Sequence, residues 1–333
     1  MTAMIGIDTS KNKLDYALVH RDTLAPEWQR TIANQPAGFA QLLRDTPPET
    51  PWVIEPTGRY SLSVVQFARE AGQKVFLAPP NKAKAFLLSL QSRAKTDKID
   101  CKGLAMFGLS RPLFEYTLKE PVVDQADQLL SARKCLSGAI SRLNLQQQQL
   151  PLAREALQAT MRGVKLQMKE LDKRIAVLTK NSPKLASAAR LEAVPGIGKV
   201  TAAAVASRLS GKCFSHPDKF VAYIGLDTRV TDSGKHKGRR RISHEGDAEL
   251  RLLLYVCAQA TLRSKESPFK EQYERERKKG LSSTAALCAV ARKMARLCWS
   301  MHKHGTTYDP ARVGVQPPPA TMADRSSPAA QQE

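Results

Sequence analysis

Four carboxylates in the first hundred residues have the types and spacing of a metal site. Asp8 and Glu55 each end a short apolar run, and Asp97 and Asp100 lie three residues apart in a segment of helical character. Residues at that spacing share one helix face, so this pair could converge with two carboxylates at strand ends. Four oxygen donors suit Mg²⁺, or Mn²⁺ in its place, held together with substrate phosphate. Two such ions about 4 Å apart would favour phosphodiester displacement. Each acid taken singly is more often a solvated surface residue.

A basic cluster follows in the second half of the chain. The stretch KHKGRRR has five cations in seven residues. Beside a hydroxyl and with few apolar neighbours, such a cluster favours a phosphate clamp over a solvated basic loop. Ser243 lies two residues further on, but spacing alone indicates a nucleophile only weakly, because serines near helix starts are usually caps. No Ser-His-Asp triad is evident locally. The predicted phosphate-binding cations are Lys235, Lys237, Arg239, Arg240 and Arg241.

A glycine turn provides a second candidate phosphate contact. The segment VPGIGKV places Gly196 and Gly198, followed by Lys199, between two apolar helical stretches. This layout is typical of a helix-hairpin-helix, whose turn can offer backbone N–H groups to a phosphate. An ordinary glycine-rich helix connection is the alternative.

The elements that must position the carboxylates form an α/β pattern. Apolar or alternating runs predict strands at 4–8, 14–20, 27–33, 51–55 and 73–78, with helices near 38–44, 61–71 and 81–109. The last helix is expected to break near 92–95. This order predicts a mixed sheet in an α/β domain spanning residues 1–120.

The next region, residues 121–184, has no strand signal and few glycines. Its apolar positions alternate spacings of four and three, which is the a/d seam of a coiled coil. The partner helix could be the preceding helix at 129–150 or belong to a second copy of the chain, and the two arrangements are compatible. The seam consists of Leu157, Met161, Val164, Met168, Leu171, Ile175 and Leu178.

Composition indicates a polyanionic partner. The 333 residues contain 52 Lys and Arg against 31 Asp and Glu, a formal net charge of +21, and the excess is greatest in residues 185–310. Such asymmetry disfavours enzymes of small neutral metabolites. Six scattered cysteines without a C-x-x-C pair indicate reduced core residues. No apolar run of 18 residues and no signal-peptide pattern are found, which predicts a cytoplasmic protein without membrane contact. ATP-binding glycine motifs are absent as well.

Several sequence blocks resemble one known family, the DEDD transposases of the insertion-sequence "one-one-zero" group, which includes the Piv and MooV pilin-gene invertases. In the family's order, the matching blocks are GIDTSK, IEPTGRY, AKTDKIDCKGLA, VPGIGKVTAA, FVAYIGLDTRVTDSGKHKGRRRIS and GDAELRLLLY. They extend to about residue 312. The sequence departs from the family pattern at His244 and Glu245, where Lys and a small or basic residue are frequent, and at Cys101, where Ala is frequent.

The resemblance implies an RNase H-like (RuvC-like) domain at 1–120, a helical coiled-coil region at 121–184 and a mainly α transposase domain at 185–312. Residues 313–333 are rich in Pro, Ser, Ala and Gln, a composition that predicts a disordered tail. The resemblance also implies that Asp8, Glu55, Asp97 and Asp100 bind the metal and that Ser243 is the nucleophile, with Ser233 as a second candidate. Similar proteins bind a structured noncoding bridge RNA, which pairs with donor and target DNA. A dimer or tetramer in the bacterial cytoplasm, associated with the nucleoid, is expected.

Three functions remain open for this sequence. The first is a recombinase that cuts and rejoins DNA through a phosphoserine, which conserves bond energy and so needs no ATP. The second is a metal-dependent nuclease that resolves DNA junctions with water. The third is a non-catalytic nucleic-acid-binding protein, against which the presence of all four acids argues.

Overall fold

A computed structural model describes residues 2–56, 58–90, 97–113, 115–229, 232–233, 236–237, 240–263 and 267–314. At several of these positions, including Asp97 and Ser233, only the backbone is described. The chain divides into two compact units, one ending at Leu118 and the other starting at Lys119.

The first unit is built on a five-stranded sheet. Its strands are β1 (Ala3–Thr9), β2 (Lys13–His20), β3 (Pro26–Ala33), β4 (Trp52–Ile54) and β5 (Val75–Leu77). The order across the sheet is β3-β2-β1-β4-β5. The first three strands pair antiparallel, whereas β4 is parallel to both β1 and β5. The predicted mixed α/β domain is therefore confirmed.

Helices cover both faces of this sheet. The side chains of β1 alternate, so that Ile5 and Ile7 join one core cluster and Met4 joins another. The second cluster includes Leu104 and Ala105 of a helix that packs on β1. The helices of this unit are α1 (Pro36–Asp45), α2 (Arg59–Glu70), α3 (Pro80–Leu90) and α4 (Asp97–Ser110).

The second unit starts with a long helical hairpin, α5 (Pro121–Gln149) and α6 (Arg154–Asn181). The predicted heptad seam of α6 faces α5: Met161 and Ile175 are buried, and Ile175 shares a core cluster with Leu130 of α5. Arg133 and Asp172 join the two helices by an ion pair of 2.5 Å. The partner of the seam within this chain is thus the preceding helix.

Further helices complete the second unit around one core cluster. They are α7 (Ser187–Leu191), α8 (Lys199–Ser210), α9 (Pro217–Ile224), α10 (Ala248–Thr261), α11 (Pro268–Lys278), α12 (Ser283–His304) and α13 (Pro310–Gly314). Four two-residue strands lie between α9 and α10, namely β6 (Thr228–Arg229), β7 (Asp232–Ser233), β8 (His236–Lys237) and β9 (Arg241–Ile242). No helix among the described residues is long and apolar enough to cross a membrane.

Two expectations need correction. The cysteines are not all core residues, because Cys135 and Cys213 are exposed and Cys288 is partly exposed. Residues 313–314, placed in the disordered tail, belong to α13, where Val313 is buried against the core of the second unit. Val313 covers part of this core, and the composition of residues 313–333 does not distinguish it from the tail that follows. Residues 315–333 lie outside the described part.

Candidate functional site

The first candidate site lies at the carboxyl ends of two neighbouring strands. Ile7 of β1 pairs with Ile54 of β4 in parallel register, so Asp8 and Glu55 follow at the same edge of the sheet. Both side chains are half-buried. Because side chains alternate along a strand, Asp8 lies on the same sheet face as Met4 and Gly6, the face that α4 covers. The strands therefore bring two of the four predicted carboxylates together.

Helix α4, which carries Asp97 and Asp100, packs closely on β1 at Gly6. A Cβ at Gly6 would lie 2.0 Å from the carbonyl oxygen of Cys101 and 2.5 Å from the amide nitrogen of Ala105. Only glycine lets the backbone of α4 approach β1 so closely. Asp100 directly precedes Cys101 on this helix and is half-buried, while the side chain of Asp97 lies outside the described residues.

A fifth acid, Asp15, was missed by the sequence reasoning. It pairs with Asp8 across β1 and β2, is 3% exposed, and accepts a hydrogen bond of 2.5 Å from Thr31. Lys13 lies 2.9 Å from its carboxylate. Residues directly opposite in an antiparallel pair share a face, so the alternation in LDYALVH carried the signal.

These acids act on the thiol of Cys101. The pKa of Cys101 is raised to about 12, mainly by burial and in smaller part by the negative charges of Asp15 and Asp8, against hydrogen bonds from nearby backbone N–H groups. The negative charges of Asp8 and Asp15 therefore act at Cys101 of α4, and Lys13 pairs with Asp15. Among the side chains that the structure describes, no three His, Cys, Asp or Glu residues lie close enough together to hold a metal ion.

The second candidate site lies around Ser243, just after β9. The Ser243 hydroxyl donates a hydrogen bond to the Asp227 carboxylate, and the Ser243 amide donates to the Asp227 carbonyl at 2.9 Å. The sequence analysis did not predict a role for Asp227, although this residue lies in the family block FVAYIGLDTRVTDSGKHKGRRRIS. A carboxylate that accepts a hydrogen bond from a serine hydroxyl can orient this hydroxyl and can act as its general base.

Backbone turns hold this serine in place. Gly225 has φ +74°, and a Cβ there would lie 2.8 Å from the carbonyl oxygen of Glu245. His244 has φ +58°, a left-handed conformation that is uncommon for residues other than glycine. Its amide donates to the Gly225 carbonyl at 3.3 Å. Backbone contacts of Gly225 and His244 therefore restrict the conformation of the chain around Ser243.

The other predicted phosphate contacts are only partly described. Arg240 and Arg241 are exposed beside Ser243. Lys235 and Arg239 lie outside the described residues, and Lys237 and Ser233 are described by backbone alone, in short strands. Of the two candidate nucleophiles, Ser243 is therefore the one whose hydroxyl contacts are described.

The glycine turn before α8 has a packing role as well. A Cβ at Gly196, where φ is +84°, would lie 2.6 Å from the carbonyl oxygen of Cys257 on α10. Close packing of the turn on α10 therefore requires glycine at this position. Gly198 caps the N-terminus of α8 with open space around its Cα, and Lys199 is exposed beside it. These two positions remain predicted phosphate contacts.

An ion network fixes the start of α10 close to Ser243. Arg208 of α8 binds Asp127 of α5 and, at 2.9 Å, Asp247, which caps α10. Burial acts to raise the pKa of Asp247, but hydrogen bonds from the Leu250 amide and from Arg208 outweigh it, so this pKa lies below its usual value.

Comparisons with known proteins cover both candidate sites. Residues 5–152 match the DEDD transposase model, and residues 188–274 match the model described as "Transposase IS116/IS110/IS902 family". The pilin gene-inverting proteins of Moraxella bovis and Moraxella lacunata are each 26% identical over 326 residues, covering 92% of this chain and 97% of theirs. The transposase for insertion sequence element IS1328 of Yersinia enterocolitica is 33% identical over 125 residues, 37% of each chain. The chain therefore belongs to the IS110/IS116/IS902 family of transposases.

Proposed function

We propose that this transposase cuts and rejoins DNA through a covalent phosphoserine at Ser243. The observation that carries the proposal is the hydrogen bond from the Ser243 hydroxyl to the Asp227 carboxylate, in a region that matches the transposase family. A serine hydroxyl is nearly all protonated at neutral pH and is a weak nucleophile without an adjacent base. Asp227 supplies that base.

Cleavage and rejoining are the two directions of one displacement at phosphorus. In cleavage the Ser243 oxygen forms a bond to phosphorus while its proton passes to Asp227, and the sugar oxygen leaves with the electron pair of the broken P–O bond and takes a proton from water. Rejoining is the reverse: a sugar hydroxyl attacks the phosphoserine, and Asp227 returns its proton to the serine. Since the number of phosphodiester bonds is conserved, no nucleotide cofactor is required.

We further propose that Asp8, Glu55, Asp97 and Asp100 hold Mg²⁺, for which Mn²⁺ could substitute. The supporting observations are the shared strand edge of Asp8 and Glu55 and the close packing of α4, which carries the other two acids, on β1. All four are carboxylates, the donors that hard divalent cations prefer. When bound, the ion would polarise a phosphate and stabilise charge at its oxygens.

The wider assignment rests on the same family membership. We propose that the first unit is RNase H-like (RuvC-like) and that the α5–α6 hairpin is a coiled coil. The partners are donor and target DNA, a structured noncoding bridge RNA and further copies of the chain in a dimer or tetramer. The net charge of +21 supports binding of nucleic acid. Action in the bacterial cytoplasm, at the nucleoid, follows from a DNA substrate.

A strand-transfer assay on DNA from the protein's own element, with its flanking RNA supplied, tests this function. We expect Mg²⁺-dependent joined products and a protein–DNA adduct resistant to denaturation. The Asp97→Asn variant should lose the joined products and the adduct. The matched Asp124→Asn variant, changed at an exposed position of α5, should keep them. Cuts without an adduct would instead identify a junction-resolving nuclease, and DNA binding without cuts a non-catalytic protein.

A further inference from the structure

A large groove in the second unit runs past Ser243. It has a volume of about 1390 Å³ and is bounded by α10, α11 and α12. Ile242 and His244, the two neighbours of Ser243 in the chain, lie in its wall. A molecule in the groove would therefore contact the residues on either side of Ser243.

Cations dominate the charged lining of this groove. Among the residues that the structure describes, six basic side chains line it against two acidic ones, Glu276 and Asp309. Arg296 pairs with Asp218 at 2.7 Å. Within the described part of the chain, Arg251, Arg292 and Lys293 form no ion pair. The six cations are Arg240, Arg241, Arg251, Arg292, Lys293 and Arg296.

Two of these arginines are fixed to the segment that holds the serine. Arg251 donates to the Ile224 carbonyl at 2.7 Å, and Arg292 donates to the Leu226 carbonyl at 2.8 Å. Leu226 precedes Asp227, the acceptor of the Ser243 hydroxyl. A guanidinium has five N–H donors, so each arginine can bind a phosphate oxygen as well as its carbonyl.

The cations are crowded and partly buried, which favours an anion between them. Burial lowers the pKa of Arg292, and the charge of Arg296 lowers it further, against Cys288, Asp227 and Asp218. Burial likewise lowers the pKa of Lys293, with Arg275 and Arg296 adding to the effect. A bound phosphate would relieve this repulsion.

The apolar and aromatic residues of the groove favour an unpaired strand over a duplex. Leu252 on α10 is 61% exposed, and the half-buried Tyr255 follows one turn later on the same wall. A duplex presents mainly its sugar–phosphate backbone to a protein surface, whereas an unpaired strand also exposes base faces that stack on aromatic and apolar side chains. Cations beside apolar side chains match the second case.

We propose that this groove binds an unpaired DNA segment, with a backbone phosphate on Arg251 and Arg292 and bases against Leu252 and Tyr255. The proposal rests on the proposed function in one respect, that DNA is the substrate of Ser243. It adds that the strand at Ser243 is unpaired when it is bound.

Equilibrium binding tests this without any catalytic step. We would measure fluorescence anisotropy of a fluorescein-labelled mixed-sequence oligonucleotide, single-stranded or annealed, over a range of KCl concentrations, in a Ser243→Ala background. Tyr255→Ala should weaken single-stranded binding by about 5- to 150-fold and change duplex binding little. Lys293→Gln and Arg292→Gln should each reduce the log–log salt slope by about 0.7. The control, Lys303→Gln, changes an exposed cation of α12 outside the groove.

Several outcomes would overturn the proposal. The first is an unchanged salt slope in both Lys293→Gln and Arg292→Gln. The second is equal weakening of single-stranded and duplex DNA binding by Tyr255→Ala. The third, measured with an RNA oligonucleotide of the same sequence, is weaker binding of RNA but not of DNA by Tyr255→Ala. Lys293→Gln keeps the test valid if Arg292→Gln fails to fold, because Lys293 has no hydrogen bond to the backbone among the described contacts. Failure of Ser243 as nucleophile would appear in adduct formation and leave these binding curves unchanged, so the two hypotheses fail separately.

Discussion

Replacing Gly6 with alanine tests whether α4 packs on β1 as closely as the carboxylate site requires. The new Cβ would lie 2.0 Å from the Cys101 carbonyl oxygen, whereas Cβ atoms essentially never lie closer than 3.0 Å to such an atom. The helix or the strand must therefore move by at least about 1 Å. Overpacking of this kind costs about 1–3 kcal/mol. The strand gains back only about 0.5–1 kcal/mol from the lower backbone entropy of alanine.

Urea unfolding followed by tryptophan fluorescence measures this cost. The chain has three tryptophans, and in a Trp299→Phe background only Trp28 and Trp52 remain, both in the first unit. Gly6→Ala should lower the urea midpoint in that background. The control in the same background is Gly138→Ala, in the middle of α5 with open space around it, which should not lower the midpoint because alanine favours a helix over glycine by about 0.8–1 kcal/mol. A midpoint for Gly6→Ala equal to or above that of the background would refute the close packing.

The same substitution has a functional consequence. Movement of α4 by about 1 Å shifts Asp100 relative to Asp8, and displacements of that size can cost about 100-fold in rate. Strand transfer by folded Gly6→Ala should fall accordingly at a temperature well below its unfolding transition. Full activity in a protein with a shifted midpoint would show that the position of α4 does not govern the reaction.

Further predictions concern the second unit and the thiols. Arg208→Met leaves the mostly buried carboxylate of Asp247 without its cation, removes one of the two cations paired with Asp127, and should cost about 3–5 kcal/mol. Lys173→Met, at an exposed position, should change stability by less than about 0.5 kcal/mol; urea unfolding measures both. Because the folded pKa of Asp247 lies below the unfolded value of about 3.9, its stabilisation is complete above that pH and is lost as pH falls through the folded pKa. An acid titration of Arg208→Met should show a smaller loss in that window. Native maleimide labelling, read by mass spectrometry, should modify the exposed thiols quickly and the buried ones slowly; the fast pair is Cys135 and Cys213, and the slow set is Cys101, Cys257 and Cys298.

The strands and helices that hold the carboxylates are predictable from the sequence. Strand alternation and strand ends are local properties, so the apolar runs alone place Asp8 and Glu55 at strand ends. The α6 seam is also readable, but a heptad does not specify its partner. Packing against α5 follows from the short connection between the helices and from contacts such as the Arg133–Asp172 ion pair.

Other features depend on tertiary contacts that no local pattern encodes. The hydrogen bond between Ser243 and Asp227 requires the left-handed turns at Gly225 and His244 to bring the two residues together. The groove forms only when α10, α11 and α12 pack together, and the sequence alone therefore shows Arg251 and Arg292 as ordinary helix-surface cations. Asp15 is predictable once β1 and β2 are paired, because residues directly opposite in an antiparallel pair share a face.

Mapping the DNA-linked peptide shows directly whether Ser243 is the nucleophile. The protein would be trapped on a suicide DNA substrate with its element's RNA, digested, and the modified residue identified by mass spectrometry. The account predicts attachment at Ser243, loss of the adduct in Ser243→Ala, and slower adduct formation in Asp227→Asn with the protein still folded. Attachment at Ser233, or an adduct that persists in Ser243→Ala, would contradict it.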